Sequence, residues 1–296
     1  MKKNFKNTTI LVILSITIIL YLINANYVID NIIEYSKLFF TKIFPVSFIF
    51  FTFSTLLIDY GLINIFNKYL HINASNIYVF ILSMISGFPS GAKYTKELLK
   101  QKYISKEDAN KIIMYAHFPN PLFILGSVNL VLNDKILSLK ILLSIIISNL
   151  IILILNKNTK STINQNYIYP SSFQESLTKA IKNTFEIILL IYGTSLFFNS
   201  LSTIISKYLI LNKYLYILIN GIFDLTKGVF STILIENNII KSLFITLFIS
   251  FGGISINMQV KSIISNTEIK YINFIKGRVL STILSLIILL LLTIIN

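Results

Sequence analysis

A chain of 296 residues that is 54% apolar and 13% charged, with a mean hydropathy of +0.75, belongs to the polytopic membrane class and not to the soluble one. Its net charge of +14 is carried largely by short segments between apolar runs, as the positive-inside rule expects, which argues against nucleic acid as a partner. The absence of cysteine excludes disulfides and thiolate chemistry, and the absence of tryptophan leaves 16 tyrosines to supply an interfacial belt.

In chain order, the first apolar run covers 9–29 behind Lys2, Lys3 and Lys6. It reads as a span and not as a cleaved signal, because Asn-Ala-Asn offers no small-x-small cleavage site. Further full spans are expected at 39–58, 139–155, 183–204 and 279–295, each near the length of about 20 residues that crosses about 30 Å of hydrocarbon. Four other apolar segments, 76–92, 110–132, 214–235 and 239–260, are interrupted. The interruptions are Gly87-Phe-Pro-Ser-Gly91, Phe118-Pro-Asn-Pro121, Phe223-Asp-Leu-Thr-Lys-Gly228 and Phe251-Gly-Gly-Ile254. Backbone that leaves the helix inside a bilayer exposes groups costing several kcal/mol each. It is tolerated only where it packs in protein or faces a polar cavity. Matching broken segments in two halves point to the midplane site of a transporter.

Loop lysines set the expected orientation. Lys93, Lys96, Lys100, Lys102, Lys106 and Lys111 mark one cytoplasmic loop, Lys157, Lys160, Lys179 and Lys182 a second, and Lys261, Lys270, Lys276 and Arg278 a third. Outside loops hold Lys37, Lys135, Lys207 with Lys213, and Lys241, and the N-terminus is cytoplasmic. These assignments close only if 76–92 and 214–235 are re-entrant hairpins. The Lys68-Tyr-Leu70 and Lys207-Tyr-Leu209 stretches, and the breaks after them, recur at a nearly constant offset, as in an inverted repeat. The expected fold is thus an all-α polytopic membrane protein, an inverted repeat with two re-entrant hairpins and two broken transmembrane helices. Its units are an N-terminal segment 1–34, a first repeat 35–135, a linking span and loop 136–180, a second repeat 181–265 and a C-terminal span 266–296.

A half-helix that starts in the membrane presents unpaired N–H groups and a positive dipole end, which suit an anion. Ser86, Gly87, Ser90, Gly91 and Lys93 form such a start, with Ser90 as the expected cap, and Lys227 holds a place like that of Lys93. Asn120 between two prolines offers two donors and an acceptor. Gly252, Gly253, Ser255 and Asn257, with Gln259 beyond them, line the fourth break. Plainer readings stand beside these. The lysines can snorkel, Asn120 can satisfy carbonyls freed by its kink, and the small residues can serve helix packing. Asp224, with Thr226, is the favoured proton or sodium site, and Glu186 is a second acid within a span. Asp59 ends a span and reads as solvated, and His117 beside the second break is a pH sensor, a substrate ligand or neither. The sequence holds two histidines, His71 and His117, and neither HExxH, a Gly-x-Ser-x-Gly elbow, a Walker loop nor GxGxxG. Neither an enzyme nor a cofactor site is therefore expected.

In Ser86-Gly-Phe-Pro-Ser-Gly-Ala-Lys93, Phe118-Pro-Asn-Pro-Leu-Phe123 and Ser250-Phe-Gly-Gly-Ile-Ser255, the chain resembles the sporulation integral membrane proteins of endospore-forming Firmicutes, of the nucleoside-recognition or gate superfamily. The resemblance covers roughly residues 35–295. It implies a fold similar to concentrative nucleoside transporters and a role in carrying dipicolinic acid across the mother-cell-derived outer forespore membrane. The chain departs from the family in its shorter length and in Asp224 where a glutamate is more usual. Two other functions stay open: a membrane scaffold for spore-envelope assembly, docking through 93–111, and a carrier of nucleosides or other metabolites. The expected partners are the lipid bilayer, a small organic anion and a coupling ion, with further assembly into oligomers left open.

Overall fold

Asparagine, aspartate and serine start six of the described helices, by accepting backbone N–H groups that have no partner within the first turn. Ser105 accepts from Asp108 N at 3.0 Å, Asp134 from Leu137 N at 2.9 Å, Ser172 from Glu175 N at 3.2 Å and Asn212 from Leu215 N at 2.9 Å. The computed structural model describes residues 2–62, 65, 74–156, 172–209 and 212–294, and among these all regular structure is helical. The first half comprises α1 (Lys2–Ile23), α2 (Ala25–Leu38), α3 (Phe44–Asp59), α4 (Ala74–Ser86), α5 (Ser90–Lys100), α6 (Lys106–Tyr115) and α7 (Asn129–Leu132). It is followed by α8 (Lys135–Leu155), α9 (Phe173–Tyr208), α10 (Lys213–Phe223), α11 (Leu225–Ser231), α12 (Asn238–Phe251), α13 (Gly253–Ile264) and α14 (Tyr271–Ile294). Single π turns, Phe39–Ile43 and Phe123–Val128, lead into α3 and α7.

Among the described residues, five helical stretches are long and apolar enough to cross a membrane: Ala25–Asp59, Lys135–Leu155, Phe173–Tyr208, Asn238–Ile264 and Tyr271–Ile294. The chain is an integral, multi-pass membrane protein. All four expected interruptions are helix breaks, at Gly87–Pro89, Ala116–Asn120, Asp224 and Gly252. Gly87 (φ +78°) and the pair Gly252 (φ +89°) and Gly253 (φ +61°) lie in the left-handed region, where a side chain is strained.

Several boundaries depart from the sequence reading. The first two spans were expected to part between 29 and 39, but the helix ends at Ile23, and Ala25–Asp59 runs on through a π turn, carrying Lys37 within it. Lys179 and Lys182 lie in α9, and Lys276 and Arg278 in α14, so none of these marks a loop. Lys241 is buried in the first turns of α12, its Nζ donating to Val131 O at 3.4 Å. A positive charge counts as a loop marker only if it is solvated, and the composition cannot tell a solvated lysine from a buried one. Lys68, Tyr69, Leu70, His71, Lys157 and Lys160 fall outside the described residues.

The breaks pack in pairs, backbone against backbone. A Cβ on Gly87 would lie 2.7 Å from Asn120 N, and one on Gly91 would lie 1.5 Å from Ala116 O, so the first break is seated on the second. In the other half, a Cβ on Gly253 would lie 3.0 Å from Gly221 O and 3.3 Å from Leu225 N, which seats the fourth break on the third. The last span closes on this centre through small residues, with Ser148 Oγ and Ser281 Oγ 3.2 Å apart between α8 and α14. A Cβ on Gly277 would lie 2.0 Å from Met114 O. Gly277→Ala is therefore expected to destabilise the protein by about 1–3 kcal/mol through overpacking. Gly193→Ala, which meets nothing within 4 Å, should leave stability level or raise it. Thermal unfolding of the two variants in detergent measures the contrast.

Candidate functional site: a cavity at four helix breaks

Three of the breaks, and the helix that follows the fourth, contribute to the wall of one cavity of about 380 Å³. Ser86, Gly87 and Phe88 come from the first, Pro119 and Asn120 from the second, Asp224, Leu225 and Thr226 from the third, and Ser255, Ile256 and Gln259 from α13 after the fourth. The volume falls within the ~300–1,000 Å³ range of small-molecule sites. The remaining wall comes from both π turns, through Phe39, Thr41, Lys42, Phe123 and Ser127, and from Ser195 of α9. The sequence reading missed the 39–47 wall and Ser127. Its one signal was Thr41-Lys42 inside an apolar run, since polar groups within spans are functional hypotheses by default. π turns recur at functional sites but leave no pattern in sequence.

Among the described residues of the lining, Asp224 is the one acid and Lys42 the one cation. Asp224 is 1% exposed and caps α11, its Oδ1 accepting from Lys227 N at 3.0 Å, with the Ser195 and Ser255 hydroxyls beside it. Gln259 Nε2 donates to Thr194 Oγ1 at 3.0 Å and to Ser195 Oγ at 3.3 Å, holding α13 on α9. On the opposite side, Asn120 Oδ1 accepts from Leu122 N at 2.8 Å and its Nδ2 reaches Ile85 O at 3.4 Å. Its amide thus starts one half-helix and ties down the end of α4. Ser86 Oγ lies 3.1 Å from Ser54 Oγ and 2.8 Å from Tyr94 Oη.

Of the residues nominated from sequence, the structure brings Ser86, Gly87, Asn120, Asp224, Thr226, Ser255 and Gln259 to the cavity wall. The others sit elsewhere. Gly91 and Gly253 serve the backbone contacts described above, and Gly252 makes the turn between α12 and α13. Asn257 donates to Gly253 O at 2.5 Å and accepts from Tyr271 Oη at 3.1 Å, satisfying backbone freed at the fourth break. Ser90 does not cap α5: Pro89 takes that position, and the buried Ser90 hydroxyl has no hydrogen bond among the described residues. Glu186 is exposed on α9. Asp59, expected to be solvated, pairs with Lys179 at 3.3 Å with its side chain 8% exposed.

Lys93 turns to α3 instead, where its Nζ donates to Thr55 Oγ1 at 2.8 Å beside the Phe51 ring. Lys227 repeats this arrangement in the second half, donating to Thr203 Oγ1 on α9 and to Asn199 O at 3.2 Å. In both cases the threonine donates to the carbonyl four residues earlier, Phe51 O at 2.8 Å and Asn199 O at 2.9 Å. α5 and α11 are thus each tied by a lysine to a helix that precedes them, α3 and α9.

Arg278 was expected in a loop but is fully buried. Its Nη1 donates to His117 O at 3.2 Å and Ser250 O at 3.1 Å, and its Nη2 to Met114 O at 3.3 Å and Asn149 Oδ1 at 3.0 Å. Met114 and His117 flank the end of α6 and Ser250 the end of α12, so one guanidinium serves the carbonyl ends of both broken helices. The buried His117 ring packs edge-on against Phe274, 4.6 Å between centroids, and does not reach the cavity wall.

A stretch of the chain is 32% identical, over 94 residues, to the sporulation integral membrane protein YlbJ of Bacillus subtilis (strain 168). The likeness is partial. It covers 29% of this chain and 23% of that protein. No family model matches the chain, and no solved structure matches it significantly.

Removing the guanidinium takes the donor from Met114 O, Ser250 O and Asn149 Oδ1 and leaves His117 O with only the 3.4 Å bond from Asn149 Nδ2, at about 1–3 kcal/mol for each group that stays unsatisfied in a dry interior. Arg278→Met is expected to lower stability by more than about 3 kcal/mol. Arg278→Lys, with a single nitrogen, should recover only part of it. Denaturant or thermal unfolding in micelles gives both values.

Proposed function

We propose that this chain is a secondary transporter or facilitator of a small organic anion, and that the cavity at the four breaks is its substrate site. The observation that carries the reading is the convergence of three breaks, and of the helix that follows the fourth, on one cavity. Unwound backbone inside a bilayer is tolerated where it packs in protein or lines a polar cavity, and transporters place their substrates at such breaks. The half-helices α5, α11 and α13 begin at these breaks, and the first residues of α11, Leu225 and Thr226, line the cavity with a positive helix end behind them. The paired lysine ties favour an inverted repeat in which α4–α5 and α10–α11 are re-entrant hairpins, with the N-terminus cytoplasmic.

The cargo we propose is dipicolinate, crossing the outer forespore membrane during sporulation. The partial likeness to a sporulation integral membrane protein and the motif resemblance support that choice. A dianion and the Asp224 carboxylate repel each other in a cavity of about 380 Å³ unless a further positive charge enters. Asp224 and Thr226 are accordingly proposed as the coupling site, taking a proton or sodium with each substrate. Glu186, exposed on α9, takes no part in this scheme.

In proteoliposomes the protein should give saturable dipicolinate flux that a nucleoside does not compete away. Asp224→Asn keeps a side chain that caps helices as well as aspartate does, so the fold should persist. Its flux should fall by about tenfold or more and lose its dependence on the driving-ion gradient. Equal flux in wild type and Asp224→Asn, with equal melting temperatures, would remove the coupling site. No flux in the wild type would remove the transporter reading.

A further inference from the structure

Two connecting segments, α5–α6 and α13–α14, form a single platform. Lys106 pairs with Glu268 at 3.2 Å. Asn110 Oδ1 accepts from Lys270 N at 2.8 Å and from Asn273 Nδ2 at 2.9 Å, while its Nδ2 reaches Glu268 O at 3.4 Å. Lys96 Nζ donates to Ile263 O at 2.8 Å, at the end of α13. These bonds join the α5–α6 connection to the α13–α14 connection. Lys100, Lys102, Lys261, Lys270 and Lys276 are all exposed on this platform. Its acids compensate only in part: Glu268 is paired with Lys106, Asp108 is buried against Ser105, Glu97 is half-buried on α5, and Glu107 is exposed, against five exposed lysines.

The lysines stand at the rim of the apolar surface. Met258, 45% exposed, precedes Lys261 by three residues on α13, and Ile272, 55% exposed, precedes Lys276 by four on α14. Residues so spaced share one helix face, so each lysine lies about one turn from an apolar side chain open to acyl chains. Tyr271 begins α14 with its ring beside Lys261, 5.6 Å from Nζ to centroid, at the position an interfacial aromatic takes.

We propose that this platform binds the headgroups of anionic phospholipids, with acyl chains lying along the exposed faces of α13 and α14. The phosphate is bridged by lysines from both connections, so a bound lipid stitches α5 and α6 to α13 and α14. A basic side chain near an anionic membrane surface contributes about a fivefold preference. The site is independent of the transport reading, because it lies outside the cavity and its test needs no flux.

Native mass spectrometry of the full chain, released from micelles with equal phosphatidylglycerol and phosphatidylcholine, tests the assignment. Wild type should retain phosphatidylglycerol preferentially, and replacing Lys100, Lys102, Lys261, Lys270 and Lys276 by Gln should lower that preference by about tenfold or more. Lys135→Gln with Lys213→Gln, elsewhere on the chain, should leave it intact. Should the five-residue variant fold poorly, Lys100→Gln with Lys102→Gln and Lys270→Gln with Lys276→Gln should each show a partial loss. Glycerol 3-phosphate should not displace the lipid. Undiminished preference in the folded variants would overturn the proposal, and so would displacement by glycerol 3-phosphate, which would make this a site for soluble anions.

Discussion

A positive charge with no carboxylate partner holds the centre of this molecule together. Arg278 is fully buried, and four acceptors take the place of an ion pair, three of them backbone carbonyls at or beside the ends of two broken helices. Burying a guanidinium is costly unless it is hydrogen-bonded, and leaving helix-end carbonyls without donors in a membrane is costly too. Each problem resolves the other. The carbonyl ends carry partial negative charge, which suits a cation. α14 can come close enough to deliver the guanidinium because Gly277 lies against Met114. Without that bond set, the chain would have to cap α6 and α12 separately, and nothing would hold their breaks at one level.

With the carbonyl ends tied together on one side, the other ends of the broken helices are available to a cavity. The arrangement is economical in residue types. Glycines let one break sit on another, asparagine and aspartate supply the caps, and hydroxyls from α9 and α13 supply the polar wall. Few charges are needed, which keeps the desolvation cost low for a site this deep.

Much of this was legible in the sequence, for specific physical reasons. Glycine and proline inside apolar runs have few innocent explanations in a bilayer, so all four breaks could be placed from composition and spacing. Ser86, Gly87, Asn120, Asp224, Thr226 and Ser255 could be named for the same reason. Lys93 was a less certain guide, because its long side chain can turn to either of two helices, and it takes the Thr55 hydroxyl instead of the cavity. Arg278 was misplaced because a basic residue near other basic residues looks like loop charge, and only tertiary packing shows the carbonyls waiting for it. The π turns at Phe39 and Phe123 shift a wall of side chains through one extra residue per turn, and no periodicity announces that.

Asp224 does two things with one carboxylate. It closes the first turn of α11 by accepting the Lys227 amide, and it faces the cavity. Lys227, whose amide it holds, is the residue whose ammonium is fastened to Thr203 on α9. Whatever alters the charge on Asp224 therefore alters the strength of a helix cap, and that cap is one covalent residue away from the fastening of an arm to a long span. A change of charge in the cavity therefore reaches α9 by two routes, through the fastening of Lys227 to Thr203 and through Ser195, which α9 places in the cavity wall. The shortest helix of the second half is in this sense a lever with its fulcrum at the site.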